Sequence, residues 1–275
     1  MLKKAVRAIL PQHVMNAARD MRSRKKLASV MPLPFSSAGL TKFTKADIDI
    51  YFDHPDAFAH WEEDHKVLEA LLGDDDRWGA VNPGDRRAIY TLIMAAKSKQ
   101  ILEIGTHIGA STLHLAKALE HSGGHITTVD ILDVNADNGP WQDIGMMHCP
   151  KDFVEKLHLS DSVTFVTDTS IRYLNSCTEM FDFIFLDGDH AADTVYREIS
   201  AALEKIEKGG MILLHDYYPD GKPLFTDGRI ICGPFRALER ISKEHCDIDV
   251  LNLSPLPWET KQGGHNTSLS IVIKV

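Results

Sequence analysis

The sequence predicts a doubly wound α/β fold, in which a mostly parallel sheet carries helices on both faces. Strand-like and helix-like segments alternate regularly from residue 100 onward, which is the pattern of such sheets. The first strand leads into a glycine turn, and the fourth leads into a loop of acids and a histidine. Loops of this chemistry lie at the ligand-binding edge of a parallel sheet, so the protein is expected to be an enzyme.

The order of the segments predicts seven strands. We expect the parallel strands at 100–105, 125–131, 163–168, 181–187 and 209–215. Helices are predicted at 86–97, 111–121, 150–158, 191–207 and 233–245. Two last strands, 247–253 and 269–275, have no helix between them and predict an antiparallel edge.

A helical extension is predicted for residues 1–79, ahead of a main domain at 80–275. Residues 1–30 carry eight Lys and Arg against one Asp and fit an amphipathic helix, which Pro11 would interrupt. Two interpretations of this basic arm are open. In the first it contacts an anionic membrane or an acidic partner. In the second, which is favoured, it is a solvated arm or a homo-oligomer contact. Residues 31–37 are expected to be a linker.

Residues 45–72 are expected to be largely helical, with a break at Pro55. Histidines and acids are dense along this segment, which is compatible with a metal site. A solvated helical face with helix-stabilising ion pairs is the favoured interpretation.

Composition and charge limit the class of protein. The net charge is −9, and the basic residues of the arm leave the main domain acidic, which argues against nucleic-acid binding. The four cysteines form no C-x-x-C pair and fit reduced thiols. No apolar run approaches the ~20 residues that span a bilayer, and the N-terminus lacks signal-peptide features. A cytoplasmic location is therefore expected.

The turn after the first strand has the properties of a cofactor site. Gly105 and Gly109 allow the backbone to approach a ligand, although a plain strand-to-helix turn needs them too. The spacing is neither G-x-G-x-x-G nor G-x-x-x-x-G-K-[ST], which excludes those two phosphate-binding fingerprints. Asp130 ends the second strand, where a carboxylate can accept hydrogen bonds from ribose hydroxyls or simply cap a loop. The combination favours a nucleotide-type cofactor.

These features resemble the class I S-adenosylmethionine-dependent methyltransferases over residues 80–275. The resemblance rests on Glu103-x-Gly105-x-x-x-Gly109, on Asp130, and on the strand end Thr167-Asp168-Thr169-Ser170. It implies a Rossmann-like sheet and S-adenosyl-L-methionine as the cofactor.

The resemblance also implies roles for individual residues. Glu103 and Gly105 would border the amino-acid end of the cofactor. Asp130 would meet the ribose, and Asp168 would meet the adenine amino group. The implied cofactor-binding set is completed by Gly109, Ser111 and Ser170. For Ser111, capping of the following helix is the alternative.

A second group of polar residues follows the next two strands. Asp187-Gly188-Asp189-His190 ends the fourth strand and His215-Asp216-Tyr217-Tyr218 ends the fifth, so the loops meet if those strands are neighbours. Carboxylates gathered there can hold Mg²⁺, which prefers oxygen ligands. Such a metal lowers the pKa of a bound substrate hydroxyl and prepares it to attack a methyl group.

This second group resembles the metal-dependent O-methyltransferases of the catechol type and their antibiotic and sugar relatives. By that resemblance Asp187 and Asp216 match metal-ligand positions, and His190 falls where the catechol enzymes carry a lysine base. Asp187 and His190 are thus the expected catalytic residues. His215 stands where some relatives place an acid, so the expected metal set is Asp187, His215 and Asp216. Tyr217 departs from the asparagine of the catechol type, which leaves metal dependence open.

Three functional hypotheses follow. The favoured one is a methyltransferase acting on a hydroxyl of a small molecule or sugar-containing metabolite, with Mg²⁺ assistance. The second is a metal-independent methyltransferase that uses His190 or His215 as its base. The third is a binding module that keeps the cofactor fold without catalysis.

Overall fold

The structure is a computed structural model that describes residues 11–73 and 80–275. It is built around a seven-stranded sheet. Its strands are β1 (Gln100–Ile104), β2 (His125–Asp130), β3 (Val163–Thr167), β4 (Phe181–Leu186), β5 (Ile206–Leu214), β6 (Ile248–Asn252) and β7 (Ser270–Lys274). They lie in the order β3-β2-β1-β4-β5-β7-β6. Strands β1 to β5 are parallel, and β7 is antiparallel to both β5 and β6. The predicted α/β fold with an antiparallel edge is confirmed.

Helices cover both faces of this sheet. They are α1 (Gln12–Ala28), α2 (Lys45–Phe52), α3 (Pro55–Leu72), α4 (Pro83–Ala96), α5 (Ala110–Glu120), α6 (Pro140–Asp143), α7 (Pro150–Lys156), α8 (Ser170–Ser176), α9 (Ala192–Leu203) and α10 (Gly233–Glu244). Neither α6 nor α8 is predicted from the sequence; α6 has only four residues, too few to show a helical period. None of the described helices is long and apolar enough to cross a membrane.

Both faces of the central strands are buried. In β1, Ile101 packs with the core beneath α4 and α5, whereas Leu102 packs with the core beneath α9 and α10. In β4, Phe183 and Ile184 divide between the two cores in the same way. This explains the nearly continuous apolar runs of β1 and β4, since a parallel sheet covered on both sides has no solvent face.

The described part of the basic arm is docked, which corrects the favoured interpretation of a solvated arm. The side-chain amide of Asn16 donates to the Gly228 carbonyl over 2.8 Å. The carboxylate of Asp20 accepts two hydrogen bonds from Arg236, and Arg240 donates to the Leu27 carbonyl over 2.7 Å. Residues 1–10, which hold three of the arm's eight basic residues, lie outside the described residues.

The expected linker at 31–37 also packs on the domain. The ring of Phe35 lies 5.1 Å from that of Tyr196, and the Ser200 hydroxyl donates to the Pro34 carbonyl over 2.7 Å. The prolines prevent helix formation there, but their apolar neighbours still find a place against α9. The predicted boundary between residues 79 and 80 adjoins residues 74–79, which lie outside the described residues.

The break predicted at Pro55 is present between α2 and α3, and α3 contributes to the core. Its Asp64 is 6% exposed, accepts a 2.7 Å hydrogen bond from the Tyr90 hydroxyl and pairs with Lys117 and His121. Part of the acid-rich and histidine-rich surface is therefore an internal polar network instead of a solvated face. Among the described residues, the only group of acids, histidines or cysteines placed to hold a metal lies elsewhere.

Candidate active site

The glycine turn after β1 lies in contact with the loop that begins at Asp187, after β4. Gly105 has φ +102°, and a Cβ built on it would lie 2.4 Å from the carbonyl oxygen of Asp187. No side chain fits at that distance, and the positive φ alone already favours glycine. Gly109 has φ +79° and lies similarly close to Pro150. The two polar loops expected from the sequence are thus in direct contact.

Asp130 holds the glycine turn through its carboxylate. One oxygen accepts hydrogen bonds from the backbone N–H groups of Thr106 (3.1 Å) and His107 (2.9 Å). The other accepts from the N–H of Leu132 over 3.0 Å. Since a carboxylate has about four acceptor sites, this half-exposed group keeps capacity for a ligand hydroxyl.

Glu103 lies fully buried beneath the same turn. One of its oxygens accepts hydrogen bonds from the hydroxyls of Thr112 (2.5 Å) and Thr128 (2.7 Å), while Oε1 has no partner among the described residues. Burial raises the pKa of Glu103 to about 7, against the lowering effect of the nearby hydroxyls of Ser111, Thr112 and Thr128. A buried acceptor without a partner is a site for a ligand donor.

The end of β3 joins this edge. The N–H of Asp168 donates to the Asp130 carbonyl over 2.9 Å. The guanidinium of Arg172 lowers the pKa of Asp168, whose partial burial opposes this effect. Ser170 has a different neighbour, the buried carboxyl of Glu198 on α9, whose pKa its hydroxyl lowers against the larger raising effect of burial.

Three side chains at the ends of β4 and β5 converge. Asp187, His190 and Asp216 each offer one ligand atom, and these atoms lie within 4.8 Å of one another; we call these three residues the acid group. The Nε2 of His190 lies 3.5 Å from Oδ2 of Asp216. Asp216 has φ +57°, an uncommon conformation for a residue with a side chain that is often found at functional sites.

His215 lies beside the acid group with both ring nitrogens engaged. Its Nδ1 lies 3.1 Å from Oδ1 of Asp187 and its Nε2 lies 3.2 Å from Oδ2 of Asp85. Carboxylates only accept, so both nitrogens donate and the ring is cationic. Burial alone would lower the pKa of His215, but the charges of Asp187 and Asp216 outweigh it and raise this pKa well above its ordinary value. His190, in place of His215, therefore offers the free nitrogen.

Asp85 is a site residue that sequence reasoning missed. It lies in the first turn of α4, is 1% exposed, and accepts a 2.6 Å hydrogen bond from the side chain of Asn82 besides that of His215. The sequence Asn82-Pro83-Gly84-Asp85 indicates a helix cap. It gives no sign of a contact with a residue 130 positions away.

Other residues near the two loops have structural partners. Asp189 binds the start of α9, because it accepts hydrogen bonds from the N–H of Ala191 and the hydroxyl of Thr194. Trp258 donates to the Gly84 carbonyl over 2.8 Å, which ties the loop before β7 to the start of α4.

Comparison with known proteins gives a consistent result. Residues 102–217, which run from β1 to just past Asp216, match a family model described as a methyltransferase domain. A probable caffeoyl-CoA O-methyltransferase of Dictyostelium discoideum is 26% identical over 142 residues, covering 47% of this chain and 48% of that protein. A catechol O-methyltransferase of Niastella koreensis is 27% identical over 149 residues, covering 53% of this chain and 61% of that protein. The chain thus spans about half the length of the curated relatives it matches.

A solved structure has the same fold. The O-methyltransferase of Bacillus cereus, in complex with S-adenosylhomocysteine, superposes with a TM-score of 0.54 at 24% identity. The match covers 78% of this chain and 91% of that one. The fold expected from the glycine turn and the acid loops is confirmed, and residues 102–217 match a methyltransferase domain.

Proposed function

We propose that this chain, whose residues 102–217 match a methyltransferase domain, transfers a methyl group from S-adenosylmethionine to a hydroxyl of a small molecule or sugar-containing metabolite. The observation that carries the proposal is the contact between Gly105 and Asp187, which joins the glycine turn to the acid group. A methyl transfer needs donor and acceptor side by side and in line, and these two loops offer adjacent places for them.

The residues around the glycine turn fit the proposed cofactor. S-adenosylmethionine supplies an electrophilic methyl group and carries an ammonium and two ribose hydroxyls. The unpartnered Oε1 of Glu103 and the spare acceptor capacity of Asp130 suit donors of this kind. Asp168, at the neighbouring strand end, is proposed to meet the adenine amino group. Ser111 and Ser170 would act indirectly, through Glu103 and Glu198.

The acid group fits a divalent cation. Asp187 and Asp216 supply oxygen ligands, as Mg²⁺ prefers, and the nitrogen of His190 would also suit a transition metal. When bound, the cation would lower the pKa of the acceptor hydroxyl. In this proposal His215 holds Asp187 in place, and Asp85 in turn holds His215.

A second candidate is methyl transfer without a metal. The side chain of His190 is 45% exposed and its Nε2 faces Asp216, an arrangement in which a histidine can remove the hydroxyl proton. Activity measured with and without EDTA separates the two candidates. Loss of activity that added Mg²⁺ or Mn²⁺ restores supports the metal, and an unchanged rate supports His190 as the base.

Methyl transfer itself is tested by screening hydroxylated metabolites with labelled S-adenosylmethionine. We expect Asp187→Asn to lower kcat at least ~100-fold while S-adenosylhomocysteine still binds. The substitution changes a side chain of the acid group and leaves the side chains of the proposed cofactor site unchanged. Asp189→Asn is the matched control, since it removes the same charge from the same loop outside the acid group. Equal losses in both variants would speak against a role of Asp187 in the reaction.

A cytoplasmic location and the absence of a nucleic-acid partner belong to the same proposal. The four cysteines are free thiols, two of them buried, and they form no disulfide. Fractionation of the producing cells tests the location.

A further inference from the structure

A cavity of about 370 Å³ adjoins the acid group. One wall consists of Arg19, Arg22, Ser23 and Lys26 of α1. The opposite wall contains residues 190–192 and 230–233, which precede or begin α9 and α10. His190 belongs both to this wall and to the acid group, so the cavity lies beside the proposed reaction site.

The helix wall is strongly cationic. Arg19, Arg22 and Lys26 are spaced by three and four residues, so they share one face of α1. All three are exposed, and within residues 11–73 and 80–275 none of them forms an ion pair with an acidic side chain. Asp20, the acid on the same helix, forms ion pairs with Arg24 and Arg236 instead. Three like charges on one face repel each other and favour an anionic ligand.

The cationic face is held in place. The hydrogen bonds from Asn16 to the Gly228 carbonyl and from Arg236 to Asp20 fix α1 against α10 and the loop before it. The contact of Arg240 with the Leu27 carbonyl fixes its other end. The cations therefore line a preformed cavity, which lowers the entropic cost of binding a ligand there.

We propose that the methyl acceptor carries a phosphate or diphosphate group, which Arg19, Arg22 and Lys26 bind in this cavity while the acceptor hydroxyl lies at the acid group. Two guanidinium groups and an ammonium together match a multiply charged oxyanion, whereas one guanidinium already satisfies a carboxylate. The volume falls in the range of small-molecule sites, ~300–1,000 Å³. This inference rests on the proposed methyl transfer.

The cationic wall is particular to the N-terminal part of this chain. Residues 102–217 match the methyltransferase family model, and α1 lies outside them. The docked helix would thus add acceptor specificity to the matched methyltransferase domain.

Binding of inorganic pyrophosphate tests the cavity directly by calorimetry on the full chain. The double variant Arg22→Gln, Lys26→Gln should raise the Kd at least about tenfold, because charge-assisted hydrogen bonds are lost. The control Lys25→Gln, Lys66→Gln removes two equally exposed charges outside the cavity and should stay within about twofold. Equal weakening in both variants, or no binding by the wild-type protein at millimolar pyrophosphate, would overturn the proposal.

Acceptor specificity is tested with pairs of hydroxyl compounds that differ by one phosphate. The wild-type protein should show a kcat/KM at least about tenfold higher for the phosphorylated member, because its KM for that compound is lower. The double variant should lose this preference. If S-adenosylhomocysteine binds and both members are methylated equally, the acceptor inference fails while methyl transfer stands. If the protein neither binds S-adenosylhomocysteine nor transfers a methyl group, the proposed function fails with it.

A lipid is the other source of phosphate. Vesicles of phosphatidylglycerol in phosphatidylcholine serve as the probe in a sedimentation assay. Vesicle binding that the double variant loses, together with no binding of pyrophosphate, would assign the cationic face to a membrane and overturn the cavity proposal. Absence of vesicle binding, with pyrophosphate bound, supports it.

Discussion

At the residue scale, two histidines in adjacent loops have opposite surroundings. The ring of His215 is 7% exposed and lies between Asp85 and Asp187. The side chain of His190 is 45% exposed, and within residues 11–73 and 80–275 its one ionic partner is Asp216. A nitrogen that already donates to a carboxylate cannot bind a metal or remove a proton. His190 is therefore the histidine with a nitrogen available to a ligand, and the positioning role belongs to His215 in our proposal.

Replacing Asp85 tests this division of roles. Asp85→Asn removes the charge that holds Nε2 of His215, so Asp187 loses part of its support. We expect kcat for methyl transfer to fall ~10- to 100-fold, as for other residues that orient ligands, with KM for S-adenosylmethionine unchanged. Steady-state kinetics measure both constants. Asp56→Asn, in the exposed first turn of α3, is the control, and an unchanged kcat in Asp85→Asn would contradict the role.

At the element scale, the glycine turn joins the two halves of the site. It is held on one side by Asp130 and pressed on the other against the carbonyl of Asp187. A change in the turn should therefore affect cofactor binding and the acid group together.

Gly105→Ala would combine backbone strain with a clash. Its Cβ would meet the Asp187 carbonyl at 2.4 Å, so we expect the free energy of unfolding to fall by ~2–4 kcal/mol. Gly123→Ala is the matched control, because it has φ +70° and open space, and should cost only ~1 kcal/mol. Denaturant unfolding measures both variants. Equal losses in the two would show that the contact with Asp187 adds nothing.

Some elements could be predicted and others could not, for a physical reason. Apolar strands and the polar residues at their ends are local patterns, so the sequence alone predicts Asp130, Asp187 and Asp216 at strand ends. Asp85 reaches the site only because the first turn of α4 lies against His215, which follows β5, and no local pattern encodes this contact. The docking of α1 likewise depends on single polar contacts, such as that of Asn16 with the Gly228 carbonyl.

At the scale of the whole molecule, two buried carboxyls make stability depend on pH. Burial raises the pKa of Glu103 and that of Glu198 to about 7, above their unfolded values. Between the unfolded and folded pKa the native state holds more protons than the unfolded chain, so stability falls as pH rises through this window. At acidic pH the dependence has the opposite sign. Carboxylates whose folded pKa is lowered, such as Asp20, become protonated as pH falls, and their contribution to stability is lost.

Glu198→Gln isolates one of these contributions. The wild-type protein should lose stability between pH 5.5 and pH 7.5, with Glu198 contributing ~1–2 kcal/mol of the loss. The glutamine variant should lose correspondingly less, because its side chain does not titrate. Denaturant unfolding at the two pH values measures the difference. A variant with the same pH dependence as the wild-type protein would show that Glu198 is ionised in the fold.

Calorimetric titration with S-adenosylhomocysteine tests the central claim most directly. The account predicts saturable binding by the wild-type protein and at least about tenfold weaker binding by Asp130→Ala, which removes the acceptor that holds the glycine turn. Asp133→Ala, an exposed acid in the following loop, should bind like the wild-type protein. No heat from the folded wild-type protein at high concentration would contradict the account.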